Sequence, residues 1–206
     1  MTKYIGVKKP RSITQAAQTI LEGGVIVYPT ETIYGIGANA LEPKIVDRVY
    51  KIKERPKSNP ILVLIPDRAS LDELVIGIPE VAEVLMEKFW PGPLTIVFKA
   101  SPIVSPVLTA GSGKIGVRLS SDPFCRELLT ICKIPITSTS ANLSGEPNPD
   151  SIDMINGRVL DSVDLVVEAG RLVSQTPSTV VDVTSGKAEL LREGAIKFAQ
   201  ILEAIS

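Results

Sequence analysis

The sequence predicts one α/β domain, an open twisted sheet of mixed parallel and antiparallel strands flanked by helices. Three observations carry this. Short apolar runs alternate with segments of helical periodicity through the first part of the chain. Beyond residue 163, three apolar runs follow one another over short connections, the pattern of pairing strands. No repeat, low-complexity tract or long linker divides the 206 residues, so residues 1–206 read as a single domain.

The elements follow in order. Ser12 with Gln15 reads as a capping box ahead of the stripe Ala16, Ala17, Ile20 and Leu21, which Gly23-Gly24 closes. Val25–Tyr28 is a buried strand. Residues 43–54 carry helical period through Ile45, Val46, Val49, Tyr50 and Ile52. Pro56 stops them, because a residue before proline avoids the α region. Ile61–Ile65 is a strand. Pro79–Phe89 is a helix broken by Trp90-Pro91-Gly92-Pro93. Leu94–Phe98 and Ile115–Leu119 are strands, Pro123–Cys132 a helix, Pro135–Thr139 a strand and Ser151–Val159 a helix. Val163–Val167, Thr179–Val183 and Glu189–Arg192 are strands, and Ile196–Ile205 is the last helix.

Composition removes whole classes of chemistry. There is no histidine, so Ser-His-Asp and Cys-His catalysis and the common catalytic zinc sites are excluded. Lys+Arg is 22 and Asp+Glu 23, a net charge of −1, which argues against coating nucleic acid through bulk charge. Cys125 and Cys132 are seven residues apart, on one face of a helix, and read as packing. The N-terminus lacks the continuous apolar stretch of a signal peptide, and no run approaches a membrane span, so a cytoplasmic location is expected.

Four segments are too polar to serve the fold alone. The first, Tyr28-Pro29-Thr30-Glu31-Thr32-Ile33-Tyr34-Gly35-Ile36-Gly37, leaves a buried strand with hydroxyls, a carboxylate and glycines that permit a ligand to approach the backbone. The second runs from Lys44 to Lys57, where Lys44, Arg48, Lys51, Lys53, Arg55 and Lys57 face only Asp47 and Glu54. Ile45, Val49 and Ile52 take the core side, which leaves Lys44, Arg48 and Lys51 in solvent. Lys53, Arg55 and Lys57, at and beyond the helix end, suit a polyphosphate. The third, Thr137-Ser138-Thr139-Ser140-Ala141-Asn142-Leu143-Ser144-Gly145, ends a strand in hydroxyls that need partners if buried. The fourth group, Lys114, Arg118, Ser178 and Arg192, sets single polar residues in or beside apolar strands.

In this order the segments resemble the YrdC family, the threonylcarbamoyl-AMP synthase domain, from Val25 to about Gly194. The family's Lys-x-Arg stands as Lys53-Glu54-Arg55 and its Ser-x-Asn as Ser140-Ala141-Asn142, accompanied by the PTETxYGxG loop, the WPGP turn at 90–93 and STxxDV at 178–183. The resemblance implies a YrdC-like sheet with a basic concave face. It implies condensation of L-threonine, bicarbonate and ATP into threonylcarbamoyl-AMP and pyrophosphate, for N6-threonylcarbamoyladenosine at position 37 of tRNA. Lys53 and Arg55 would be catalytic. Arg55, Asn59, Lys114, Ser140, Asn142, Asn148 and Arg192 would surround ATP, and Thr32, Arg118, Ser138 and Ser178 threonine. Mg²⁺ would accompany ATP with no metal site on the protein.

The partners implied are downstream threonylcarbamoyl-transferase proteins acting on tRNA, with room for weak RNA binding. Two departures stand out: Leu64 replaces a histidine that some members place near threonine, and the length matches members without a further C-terminal domain. A paralogous group of the same fold lacks the Lys-x-Arg and Ser-x-Asn residues. The rival readings are a non-enzymatic double-stranded-RNA or ribosome-binding module of this fold and a carbamoyl-adenylate enzyme of the hydrogenase-maturation type.

Overall fold

Period-two burial decides where the strands sit. In β2 (Ile26–Tyr28), Ile26 and Tyr28 point into one apolar cluster, while Val27 and the preceding Val25 point into another. In β9 (Leu165–Glu168), Leu165 and Val167 face one cluster and Val166 the other. Both strands are therefore covered on two sides, which is why they read as unbroken apolar runs. These observations come from a computed structural model that describes residues 2–174 and 176–206.

The expectation of one mixed sheet becomes two. The first has the order β1 (Lys3–Gly6), β9, β2, β3 (Gly35–Gly37), β8 (Thr139–Ser140). Its first three strands are parallel and the last two pairings antiparallel. The second has the order β11 (Glu189–Arg192), β10 (Thr179–Asp182), β5 (Leu94–Lys99), β6 (Lys114–Arg118), β4 (Val63–Leu64), β7 (Ile136–Thr137). It too mixes both pairing senses. The strand expected at Pro135–Thr139 is the link between them. Ile136–Thr137 closes the second sheet, Thr139–Ser140 closes the first, and Ser138 lies at the seam, its N–H bonded to the Leu62 carbonyl at 2.7 Å.

Helix α1 (Ser12–Leu21) and helix α5 (Pro123–Cys132) cover the smaller cluster, where Ala16, Ala17, Ile20, Phe124, Cys125, Leu128 and Cys132 meet Tyr28 and Leu64. Both cysteines are buried and unpaired, as packing residues. The capping box at α1 does not form. Arg11 occupies the cap in the left-handed region, and the Ser12 hydroxyl bonds instead to the Val7 carbonyl, 2.8 Å. The larger cluster lies under α2 (Pro43–Lys53), α4 (Glu80–Phe89) and α7 (Phe198–Ala204), with a short α3 (Leu71–Leu74) that the sequence pattern did not show. Residues 151–159 are not one helix. A 3₁₀ turn, Ile152–Met154, precedes α6 (Gly157–Ser162), whose cap is the Asn156 side chain bonding to Arg158 N. Among the described residues no helix is long and apolar enough to cross a membrane.

Candidate functional site

A cleft of about 640 Å³, measured to its open mouth, lies at the seam between the two sheets. The first sheet contributes Gly35 and Ser140; the second contributes Val63, Thr95, Arg118 and Arg192; Thr30, Thr32, Arg55, Leu62, Ser138, Asn148 and Ser178 come from the connecting segments.

The segment that leaves β2 is held by its own hydroxyls. Thr30 Oγ1 accepts the N–H groups of Thr32 and Ile33 at 3.1 and 3.2 Å, the side-chain turn typical of threonine. Thr30 donates its proton to the Ile33 carbonyl, 2.7 Å, so in the 2.9 Å contact between the two hydroxyls Thr32 is the donor. Thr32 therefore offers a ligand only lone pairs. Gly37 has a different role from the one expected. A Cβ on Gly37 would lie 2.7 Å from the fully buried Tyr28 ring, so its absence makes room for packing across the strand pair. Gly35 alone of the two lines the cleft.

Helix α2 ends where Glu54 takes a left-handed conformation and turns the chain. Beyond it, Arg55 is fixed by its own turn, Nε donating to the Asn59 carbonyl at 3.0 Å and Nη2 to that of Pro60 at 2.9 Å. Lys53 goes the other way. It is 1% exposed and donates to the Ser140 carbonyl, the Asn142 carbonyl (2.8 Å) and Asn142 Oδ1 (2.9 Å). Burial pulls its ammonium down to about 7, Arg55 adding to the effect and Glu146 opposing it. Lys53, expected at a helix end that suits a polyphosphate, is instead turned into the fold, where these three contacts anchor the 140–142 turn. Asn142 is equally occupied: Oδ1 also accepts from Ser140 Oγ at 2.6 Å, and Nδ2 donates to the carbonyls of Glu146 and Pro147.

Across the cleft, Arg192 grips Ser178. Its Nε and Nη2 donate to the Ser178 carbonyl at 3.1 and 2.9 Å, and the Ser178 hydroxyl shares a 3.0 Å bond with Thr95. Gly194 permits this approach, since a Cβ there would strike the Pro177–Ser178 backbone. Burial first, then the charges of Arg118 and Arg55, lower the Arg192 pKa. Three guanidinium groups thus face one cleft, an arrangement that favours an anion. Arg118 donates Nη1 to Glu31 and Nη2 to Ser138 Oγ at 3.2 Å.

Of the residues expected at the site, Thr32, Arg55, Arg118, Ser138, Ser140, Asn148, Ser178 and Arg192 share the cleft; Lys53, Asn59, Lys114 and Asn142 do not line it. Lys114 opens β6, four residues and roughly 13 Å along the strand from Arg118, and pairs with Asp182 at 2.7 Å. Asn59 contributes its carbonyl to Arg55 and Tyr50. Leu64 is fully buried in the smaller cluster, beside Tyr28 and Phe124. The basic run is also less free than its count: Asp47 takes Lys51 and Lys57, and Asp164 takes Arg48. Sequence reasoning singled out the segment of Thr30 and Glu31 without giving either a site role, and it missed Thr95 and the Glu31–Arg118 pair. Two opposite charges in segments otherwise buried were the available signal for the pair, since buried charges require partners.

Residues 18–194 match the Sua5–YciO–YrdC family model, described as Telomere recombination. Threonylcarbamoyl-AMP synthase of Pyrococcus abyssi is 37% identical over 190 residues, covering 92% of this chain and 56% of the relative. The enzyme of that name from Bacillus subtilis is 37% identical over 202 residues, covering 98% and 58%. The chain thus spans somewhat more than half the length of these relatives. The crystal structure of P. abyssi Sua5 complexed with L-threonine superposes with a TM-score of 0.93 at 34% identity, covering 100% of this chain and 61% of that one.

Proposed function

The chain belongs to the Sua5–YciO–YrdC family, and from that premise we propose that it is an L-threonylcarbamoyladenylate synthase. The observation that carries the reading is the joining of Arg55, Arg118 and Arg192 with Thr32, Ser138, Ser140 and Ser178 in one cleft. Such a set suits two ligands at once, an amino acid and a nucleotide. The threonine amine and bicarbonate form a carbamate with loss of water. A carbamate oxygen then attacks the α-phosphorus of ATP, the bond to the β-phosphate oxygen breaks, and pyrophosphate leaves. No covalent enzyme intermediate is required, so a chain without histidine loses nothing essential.

In this reading Arg118 and Ser138 receive the threonine carboxylate, and the Thr32 lone pairs accept from its amine or hydroxyl. Arg55 and Arg192 balance the phosphate charge, and Ser140 and Asn148 position the nucleotide. Lys53 acts through the 140–142 turn that it anchors. Mg²⁺ would enter as the counter-ion of ATP, coordinated by phosphate oxygens and water. The product would pass to a transferase acting on tRNA. The RNA-module alternative gains no support from the basic run, of whose six basic residues Asp47 and Asp164 take three.

The test is pyrophosphate release from ATP. It should require both threonine and bicarbonate, and release that ignores either one would overturn the reading.

A further inference from the structure

Glu31 belongs to the polar segment after β2, but no step above uses it. It does not line the cleft, whereas its neighbours Thr30 and Thr32 and its partner Arg118 do. Its side chain is 14% exposed and that of Arg118 5%. Both carboxylate oxygens are engaged, Oε1 by Arg118 Nη1 and Oε2 by Ser120 Oγ at 2.5 Å. Ser120 in turn accepts the Asp122 N–H at 3.2 Å. Both oxygens of the carboxylate are therefore taken by protein partners, and the carboxylate does not line the cleft.

This arrangement has a consequence for the guanidinium. Nη1 is turned to Glu31 and one Nη2 proton to Ser138, while Nε has no protein partner among the described residues. Nε–H and one Nη2 N–H are the donors left without a protein partner among the described residues, and two parallel N–H groups on the Nε–Nη2 edge fit a carboxylate bidentately. A long side chain with several free torsions would not hold that edge outward without an anchor. Because Glu31 sits between Thr30 and Thr32, the same carboxylate fixes the distance between Arg118 and the Thr32 hydroxyl.

We propose that Glu31 is a positioning residue that presents the Nε–Nη2 edge of Arg118 to the α-carboxylate of the amino-acid substrate. The role of that substrate rests on the synthase reading above; the orientation of Arg118 does not.

Two measurements separate them. In Glu31→Gln, which keeps the size of the side chain and an acceptor for Ser120, the KM for threonine should rise about tenfold or more, while kcat and the KM for ATP stay within about twofold. Glu31→Asp, too short to reach both partners, should fall between. Independently of any substrate, the Arg118 Nε–H resonance, identified by its loss in Arg118→Lys, should be sharp in the native protein and exchange-broadened in Glu31→Gln. An unchanged resonance with an unchanged threonine KM overturns the proposal. So does a variant in which both KM values and the melting temperature fail together, which marks a purely structural residue. A lost resonance in a protein whose native form ignores threonine upholds the positioning role and removes the synthase reading instead.

Discussion

Alanine at Gly37 probes how the cleft is tied to the core. Gly37 pairs with Ile26 in the β2–β3 ladder, and a Cβ there would stand 2.7 Å from Tyr28 Cε1, 3.0 Å from Cδ1 and 3.3 Å from Ile26 Cγ1. Tyr28 cannot swing away: it is fully buried among Phe124, Leu64 and Ile136, with its hydroxyl on the Thr137 carbonyl at 3.2 Å. Overpacking of this kind costs about 1–3 kcal/mol. The ordinary gain of replacing a strand glycine with alanine, roughly 0.5–1 kcal/mol, offsets part of it. The net expectation for Gly37→Ala is a loss of about 1–2 kcal/mol in urea unfolding.

Gly35→Ala meets the same ring only at 3.3 Å, so it should cost less stability, yet it adds a methyl to a residue that lines the cleft and should lower activity more. Tyr28→Leu, which removes the ring, should make Gly37→Ala nearly harmless, giving a coupling of about 1 kcal/mol in the double-mutant cycle. Additive losses in that cycle would refute the packing account and return the glycine to a ligand-facing role.

The remaining expectations concern the two basic residues of the Lys-x-Arg sequence. Among the described residues Arg55 bonds only to carbonyls of its own turn, so Arg55→Ala should change stability by less than about 1 kcal/mol while lowering turnover about 100-fold, and Arg55→Lys should recover only part of it. Lys53 behaves differently because its folded value of about 7 lies below its ordinary 10.5. Between those values the unfolded chain binds more protons than the folded one. This group's contribution therefore raises stability as pH climbs from 7 to 10, by at most about 1 kcal/mol per pH unit. Urea titrations of the native protein should show that rise relative to Lys53→Met, and parallel pH profiles for the two would refute it.

Much of the cleft was legible because its residues are polar where the fold asks for apolar ones. Arg118 in Lys114–Arg118 and Ser178 before Thr179–Asp182 stand out from their strands, and both line the cleft. The division into two sheets was not legible, since it depends on the single residue Ser138 at which one apolar-then-hydroxyl run changes partners. Lys53 and Asn142 misled in another way. Spacing shows that a lysine follows a helical stripe, but whether its ammonium turns to solvent or into the 140–142 carbonyls depends on a segment eighty-seven residues later. The two-residue β7 and β8 and the four-residue α3 are too short to carry periodicity.

The central claim is that one cleft holds the amino acid against Arg118. A crystal structure of the chain soaked with L-threonine tests it most directly. The account predicts the threonine carboxylate on the Nε–Nη2 edge of Arg118 and the Ser138 hydroxyl, with its amine or hydroxyl at Thr32, and Glu31 still on Arg118 Nη1. Threonine bound away from this cleft, or bound within it with Arg118 still empty, would contradict the account.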